Sequence, residues 1–215
     1  MHEPADPPAS LHVTPTVWPA GRPIHRIHLK AFAAAGFNPG VRGNARFSPI
    51  ANARGRPVPT LYGGSDFECA AMETVFHDVP FAPGFKSYDK RKWTGQTHSV
   101  LVPAAALKLA DLSNVALRKL GVPRAHLIDT EKDRYPVTRK WAAAIHLQHP
   151  QLQGMVWVSR QDDRARALML FGDRVPAGLL VPQGASRDLV DGAPATLELL
   201  MLADLIGVSV VAGYS

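Results

Sequence analysis

The stretch TLYGGSDFECAAMETVFH, residues 60 to 77, constrains this chain more than any other part of it. Thr60 to Gly64 reads as a short strand that breaks at two glycines. Ser65 and Glu68 form an S-x-x-E capping box, which predicts a helix running to about His77. The body of that helix is almost wholly apolar, yet it carries one carboxylate, Glu73. Spacings of three and four residues put Cys69, Met72 and Phe76 on the same face as Glu73. An ionised carboxylate among apolar neighbours is costly unless a cation or several donors meet it. Glu73 therefore either closes a buried ion pair or lines a cleft whose surroundings tune it for chemistry.

Strands and helices mix along the rest of the chain without a steady βαβ rhythm, which predicts an α+β fold. Strands are expected at 23–29, 98–103, 107–113, 154–159 and 165–173, with a last one in VSVVAG. Helices are expected at NVALRKL, stopped by Gly121 and Pro123, at 137–149, stopped by Pro150, and from Pro194 to about Ile206. Two Gly- and Pro-bearing passages, roughly 36–59 and 79–97, read as loops. The chain has 215 residues, which suits one domain with a sizeable core. Its start, MHEPADPPAS, predicts a loosely attached or disordered tail over residues 1–20, leaving 21–215 as the folded unit. The longest apolar run, TLELLMLADLIGVSVVAG, is interrupted by Glu198, Asp204 and Gly207, so a core helix followed by a strand is expected rather than a membrane span.

Several function classes lose support at this level. A lone cysteine, Cys69, excludes an internal disulfide and fits a reducing cytoplasm. Two H-x-x-H patterns occur. His25 and His28 fall on opposite faces of a strand, and His146 and His149 share a helical face without an accompanying H-E-x-x-H, so no metal site is expected. Neither G-x-G-x-x-G nor a Walker loop is present. The net charge of +6 favours anionic partners, and the basic run Lys86, Lys90, Arg91 and Lys92 is interleaved with Tyr88 and Trp93. That run keeps open a reading of another class, a basic nucleic-acid-binding protein, although no zinc-finger, RNP or helix-turn-helix pattern accompanies it.

Three further residues bear on Glu73. Arg46 sits in the loop GNARF, where a guanidinium can grip a phosphate or carboxylate in bidentate fashion. Tyr62 ends the strand before the glycines, and Ser159 ends an apolar strand. Taken singly, such residues are usually solvated or packed. Taken in order, they form a pattern: an arginine in a Gly-bearing loop, L-Y-G-G-S-x-x-x-x-A-A-x-E, a strand-ending V-S-R and a second strand, LMLF.

That ordered set resembles the RES-domain family, from about Arg26 to Phe171. The resemblance implies an ADP-ribosyltransferase-like mixed sheet with flanking helices and a toxin of a bacterial toxin–antitoxin pair that consumes NAD. Arg46 matches the arginine of the family's Gly-Gly-Arg-Trp loop, Tyr62 the tyrosine of its L-Y-A-S segment, and Glu73 its helix glutamate. Ser159 matches the serine of its late strand and Arg26 an arginine of its first strand. Here Ala45 and Phe47 flank Arg46, the segment ANARGRP lengthens the interval to Tyr62, and Val158 stands where a proline often precedes the serine.

The resemblance implies that Glu73 steadies the ribosyl cation formed as nicotinamide leaves, and that Arg46 with Arg26 holds the pyrophosphate. Tyr62 is expected to stack on nicotinamide, and Ser159 to hydrogen-bond the amide or ribose. NAD would be a substrate rather than a resident cofactor. ADP-ribose would pass to water or phosphate; the alternative is mono-ADP-ribosylation of a cellular protein docked on the 79–97 region. The implied partner is an antitoxin with a DNA-binding domain, with no direct contact between this chain and nucleic acid.

Overall fold

A computed structural model describes residues 6–40, 42–190 and 193–212. Along the chain, β1 (Pro15–Trp18), β2 (Ile24–Leu29) and β3 (Thr60–Gly64) lead into a short helix, α1 (Phe67–Met72). Next come β4 (Lys86–Asp89), a 3₁₀ turn at Lys90–Trp93, β5 (Gln96–Pro103) and β6 (Leu107–Asp111). Helices α2 (Asn114–Leu120) and α3 (Arg124–Leu127) and a 3₁₀ turn at Lys132–Arg134 precede the long helix α4 (Tyr135–Gln148). Strands β7 (Gly154–Val158), β8 (Arg166–Phe171), β9 (Leu180–Pro182) and β10 (Arg187–Asp188), helix α5 (Ala193–Leu205) and strand β11 (Val208–Val211) complete it.

The main sheet runs β1-β6-β7-β8-β3-β2-β5-β10, with β9 also pairing β5. Its β6–β7 pair is parallel and the other registered pairs are antiparallel, so the fold is α+β around one mixed sheet, as expected. A separate parallel pair joins β11 to β4. The sheet is buried on both faces, which is why its central strands read as unbroken apolar runs. Along β8, Ala167, Met169 and Phe171 join Met155, Trp157 and α4's Trp141 and Ile145 on one side. Leu168 and Leu170 alternate to the other side, with Val156, Leu61 and Leu101. A third apolar cluster lies between α1, α5 and the 79–97 region, around Phe67, Phe76, Trp93, Leu199 and Leu202.

Local structure departs from the sequence reading in four places. The helix after β3 spans six residues rather than extending to His77, and its N-cap is Asp66, whose side chain accepts from the Cys69 N–H at 2.7 Å. Ser65 makes no capping box; its hydroxyl instead donates to Asp66 and accepts from the Arg166 N–H. The two glycines do not break β3 but belong to it. A Cβ on Gly64 would lie 2.7 Å from the Cys69 sulfur, and one on Gly63 3.0 Å from the His25 carbonyl oxygen, so bare backbone lets α1 and β2 approach. Residues 11–18, inside the stretch expected as a tail, are packed: Leu11, Val13 and Trp18 are buried, and β1 pairs with β6. Residues 1–5 of that expected tail lie outside the described residues. The passage 79–97, expected as loop, contains β4 and a 3₁₀ turn.

Helix α5 buries one stripe, Ala195, Leu199, Leu202 and Ala203, and leaves Leu197, Met201 and Leu205 exposed. Among the described residues no helix is long and apolar enough to cross a membrane.

A histidine network ties β5 to β2, β10 and α5. The guanidinium of Arg187 donates to His98 Nδ1 and ion-pairs with Glu198 of α5. Because arginine only donates, His98 Nδ1 is an acceptor and its Nε2–H points to His25 Nδ1, 3.1 Å away. Burial first, then Arg187, His25 and His28, hold the His98 imidazole down at about 3. The unfolded chain takes up this proton near pH 6.5, whereas the folded protein refuses it until about 3, so stability falls as the pH drops through this window. His25 and His28 are lowered too, mainly by burial, and act in the same direction. Urea unfolding is expected to show a loss of about 2 kcal/mol between pH 7 and pH 5, and an unchanged midpoint would refute this account.

Candidate active site

Strand β3 pairs with β8 over five residues but shares one registered pair with β2, His25 with Gly64. Beyond that pair the two strands part, and a cleft of about 540 Å³ opens between their residues, within the range of small-molecule sites. Its wall includes Arg26 and His28 from β2, Tyr62 from β3, Arg46 from the connecting loop, and Glu73 just after α1. Trp157, Tyr135 and His77 also line it. Four of the five residues singled out in the sequence therefore line one cleft, and the fifth, Ser159, touches one of the four.

Glu73 is the C-cap of α1, half-buried, with its backbone N–H bonded to the Cys69 carbonyl. The Ser159 hydroxyl donates to Glu73 Oε1 at 2.6 Å. Ser159 is fully enclosed and also accepts from the N–H groups of Gln161 and Asp162, at 3.0 and 3.1 Å. One donor and two acceptor sites are all that a hydroxyl has. The serine is thus saturated in holding the carboxylate, and the expectation that it hydrogen-bonds a ligand amide or ribose does not match its placement. No cation pairs with Glu73 among the described residues, which settles the choice posed by the sequence: it faces a cleft and does not close a core ion pair.

Arg46 is buried to 5 % exposure, and its Nε and Nη2 have no hydrogen-bond partner. Its guanidinium carbon lies 5.8 Å from the centroid of the Tyr135 ring. Helix α4 grips the loop that carries it: the Thr138 hydroxyl donates to the Arg46 carbonyl, and Arg139 donates to the Ala45 carbonyl at 3.1 Å and to the Asn44 side chain. Tyr62 holds the other side, its hydroxyl accepting from the Phe47 N–H and donating to Ser48 Oγ. Burial pushes the Tyr62 phenol up to about 12, so it stays protonated and keeps that grip. Backbone and loop contacts fix where Arg46 sits, but none of them neutralises it.

Arg26 is differently placed. Its Nη1 donates to the carbonyls of Ala34 and Gly36 at 2.7 and 2.9 Å, pinning the turn after β2, and burial lowers it to about 10. It lines the cleft, but with part of its donor capacity already taken. Cys69, buried beside Glu73, has its thiol pushed up by desolvation and then by Glu73, which leaves it unsuited as a nucleophile.

Sequence reading did not single out His77, Asp78 and Tyr135, all of which border the cleft. His77 stands four residues after Glu73, a spacing that could have flagged it; Tyr135 is brought in by α4 and carries no local signal. His146, one of the H-x-x-H pair, bonds Asp173 instead, away from the cleft lining.

No curated protein matches the chain. A family model, the RES domain, matches residues 23–191, a span that holds Arg26, Arg46, Tyr62, Glu73 and Ser159 and omits β1, α5 and β11. With the match covering most of its length, the chain belongs to the RES-domain family.

Proposed function

We propose that the cleft binds NAD and breaks its nicotinamide–ribose bond, passing ADP-ribose to water or phosphate. The observation that carries this reading is the enclosed, unpartnered guanidinium of Arg46 in the same cleft as the half-buried carboxylate of Glu73. A buried cation without a counter-anion is costly, and an incoming phosphate relieves that cost. A ligand suited to both groups carries an anion at one end and develops positive charge at the other. NAD does both: its pyrophosphate suits Arg46, and its ribose becomes cation-like as neutral nicotinamide departs.

Glu73 would stabilise charge that exists only in the transition state, which is where binding energy raises rate. Ser159 would hold one carboxylate oxygen in place, leaving the other toward the sugar. Tyr62 would present its ring to the nicotinamide while its hydroxyl keeps the Arg46 loop in register. Family membership is consistent with an NAD-related toxin role, and the partner of such a toxin would be an antitoxin. Purified protein incubated with NAD should release free nicotinamide and ADP-ribose, or a phosphorylated ADP-ribose when phosphate is present. Chromatography showing NAD intact in both conditions would refute the reading.

A further inference from the structure

His77 lines the same cleft, and stabilisation of the sugar cation alone gives it no task. Its Nδ1 is 2.7 Å from Asp78 Oδ1, and its Nε2 is 3.4 Å from the Tyr135 hydroxyl. An ionised carboxylate only accepts hydrogen bonds, so Nδ1 carries the proton and Nε2 keeps its lone pair. Asp78 is fixed in turn: Lys132 Nζ donates to its Oδ2 at 2.7 Å, and the bonds from Lys132 and His77 keep its carboxyl below the usual range. Gln161 anchors the turn by donating to the His77 carbonyl at 3.0 Å. The Tyr135 contact is long for a hydrogen bond. A small O–H donor entering the cleft can replace it, as often happens when apo contacts tighten around substrate.

We propose that His77 is the proton acceptor for the oxygen that receives ADP-ribose, with Asp78 as the positioning residue that fixes its tautomer; this rests on the reading of the cleft as an NAD site. With water as the acceptor, the C1′–N bond breaks and its electron pair goes to the pyridine nitrogen, releasing neutral nicotinamide. A lone pair of water forms the new C1′–O bond, and one water proton passes to Nε2 of His77 and then to solvent. Nicotinamide takes up no proton, so a base is needed elsewhere. Glu73 is a poor choice, because protonating it removes the charge that steadies the sugar. Around His77 the charged and titratable groups bordering the cleft are Asp78 and Glu73 on its own segment, Lys132 and Tyr135 ahead of and at the start of α4, Arg26 and His28 on β2, Arg42 and Arg46 on the loop that follows, and Tyr62 on β3.

The test is steady-state NAD turnover against pH, for the wild type, His77→Gln and Asp78→Asn, with and without azide. A base that works only without its proton predicts that wild-type kcat falls on the acid side. His77→Gln should lower kcat by roughly 10²–10⁴-fold with KM for NAD unchanged, and should lose that acid limb. Azide, a nucleophile with no proton to give up, should restore much of the lost rate. Asp78→Asn should lower kcat less and keep a limb. If His77→Gln retains the wild-type rate and limb, or raises KM alone, this role falls while the NAD reading stands. If the wild type releases no nicotinamide at any pH, both fall together.

Discussion

Glu73→Gln is expected to leave the fold intact and to lower NAD turnover by about 10²–10³-fold in kcat, the loss seen when one oriented electrostatic partner of a transition state is removed. The substitution is close to isosteric, and the glutamine oxygen can still accept from the Ser159 hydroxyl at the end of β7, so the anchor made at 2.6 Å is retained. Only the charge disappears. KM for NAD should change little, because a neutral ribose in the ground state gains little from the carboxylate. Nicotinamide release measured beside the thermal unfolding midpoint separates the outcomes. Wild-type turnover with an unchanged midpoint would end the assignment of Glu73. Loss of turnover together with a collapsed midpoint would show the residue to be a structural link instead.

The second large effect concerns Arg46 and runs in opposite directions for stability and function. Nε and Nη2 of this residue are enclosed without partners, so the free protein carries an uncompensated cation. An apolar side chain of similar length removes the desolvation cost that a buried charge without a partner imposes on the folded state. Arg46→Met is therefore expected to unfold at the same or a higher urea concentration than the wild type. The same change removes the proposed pyrophosphate contact, and a desolvated charge pair of this kind is worth about 2–5 kcal/mol to a complex. ADP-ribose should raise the melting temperature of the wild type and leave that of Arg46→Met nearly unmoved, with kcat/KM falling accordingly. A variant that is strongly destabilised, or one that still responds to ADP-ribose, contradicts the account. The grip of Thr138 and Arg139 on the loop is to backbone and to Asn44, so it survives the substitution.

Both effects share one physical origin. The fold holds an acid and a base in one cleft without letting either neutralise the other. Glu73 is held by hydroxyl and backbone contacts, and Arg46 by its own loop and the face of Tyr135. Stability is given up locally at this cleft, a pattern typical of functional sites.

The sequence by itself determined much of this. The unbroken apolar runs LMLF and GMVWV specify a sheet covered on both faces, and the strands at 24–29, 60–64 and 154–158 follow from local pattern. A carboxylate set among apolar neighbours marks Glu73 before any coordinates, because charge without a nearby partner is too costly to be incidental. Gly121 ending α2 in the left-handed conformation is equally local. Tertiary structure alone decided the rest. The short strands β1, β4, β9 and β10 have too few residues for a period and exist because a neighbouring strand offers hydrogen bonds. That α1 stops at Met72, that Ser159 reaches Glu73 from 86 positions away, and that Tyr135 meets both His77 and the Arg46 side chain are outcomes of packing between distant segments. Whether a buried charge finds a partner depends on what the folded chain brings beside it, and no spacing along one strand or helix encodes that.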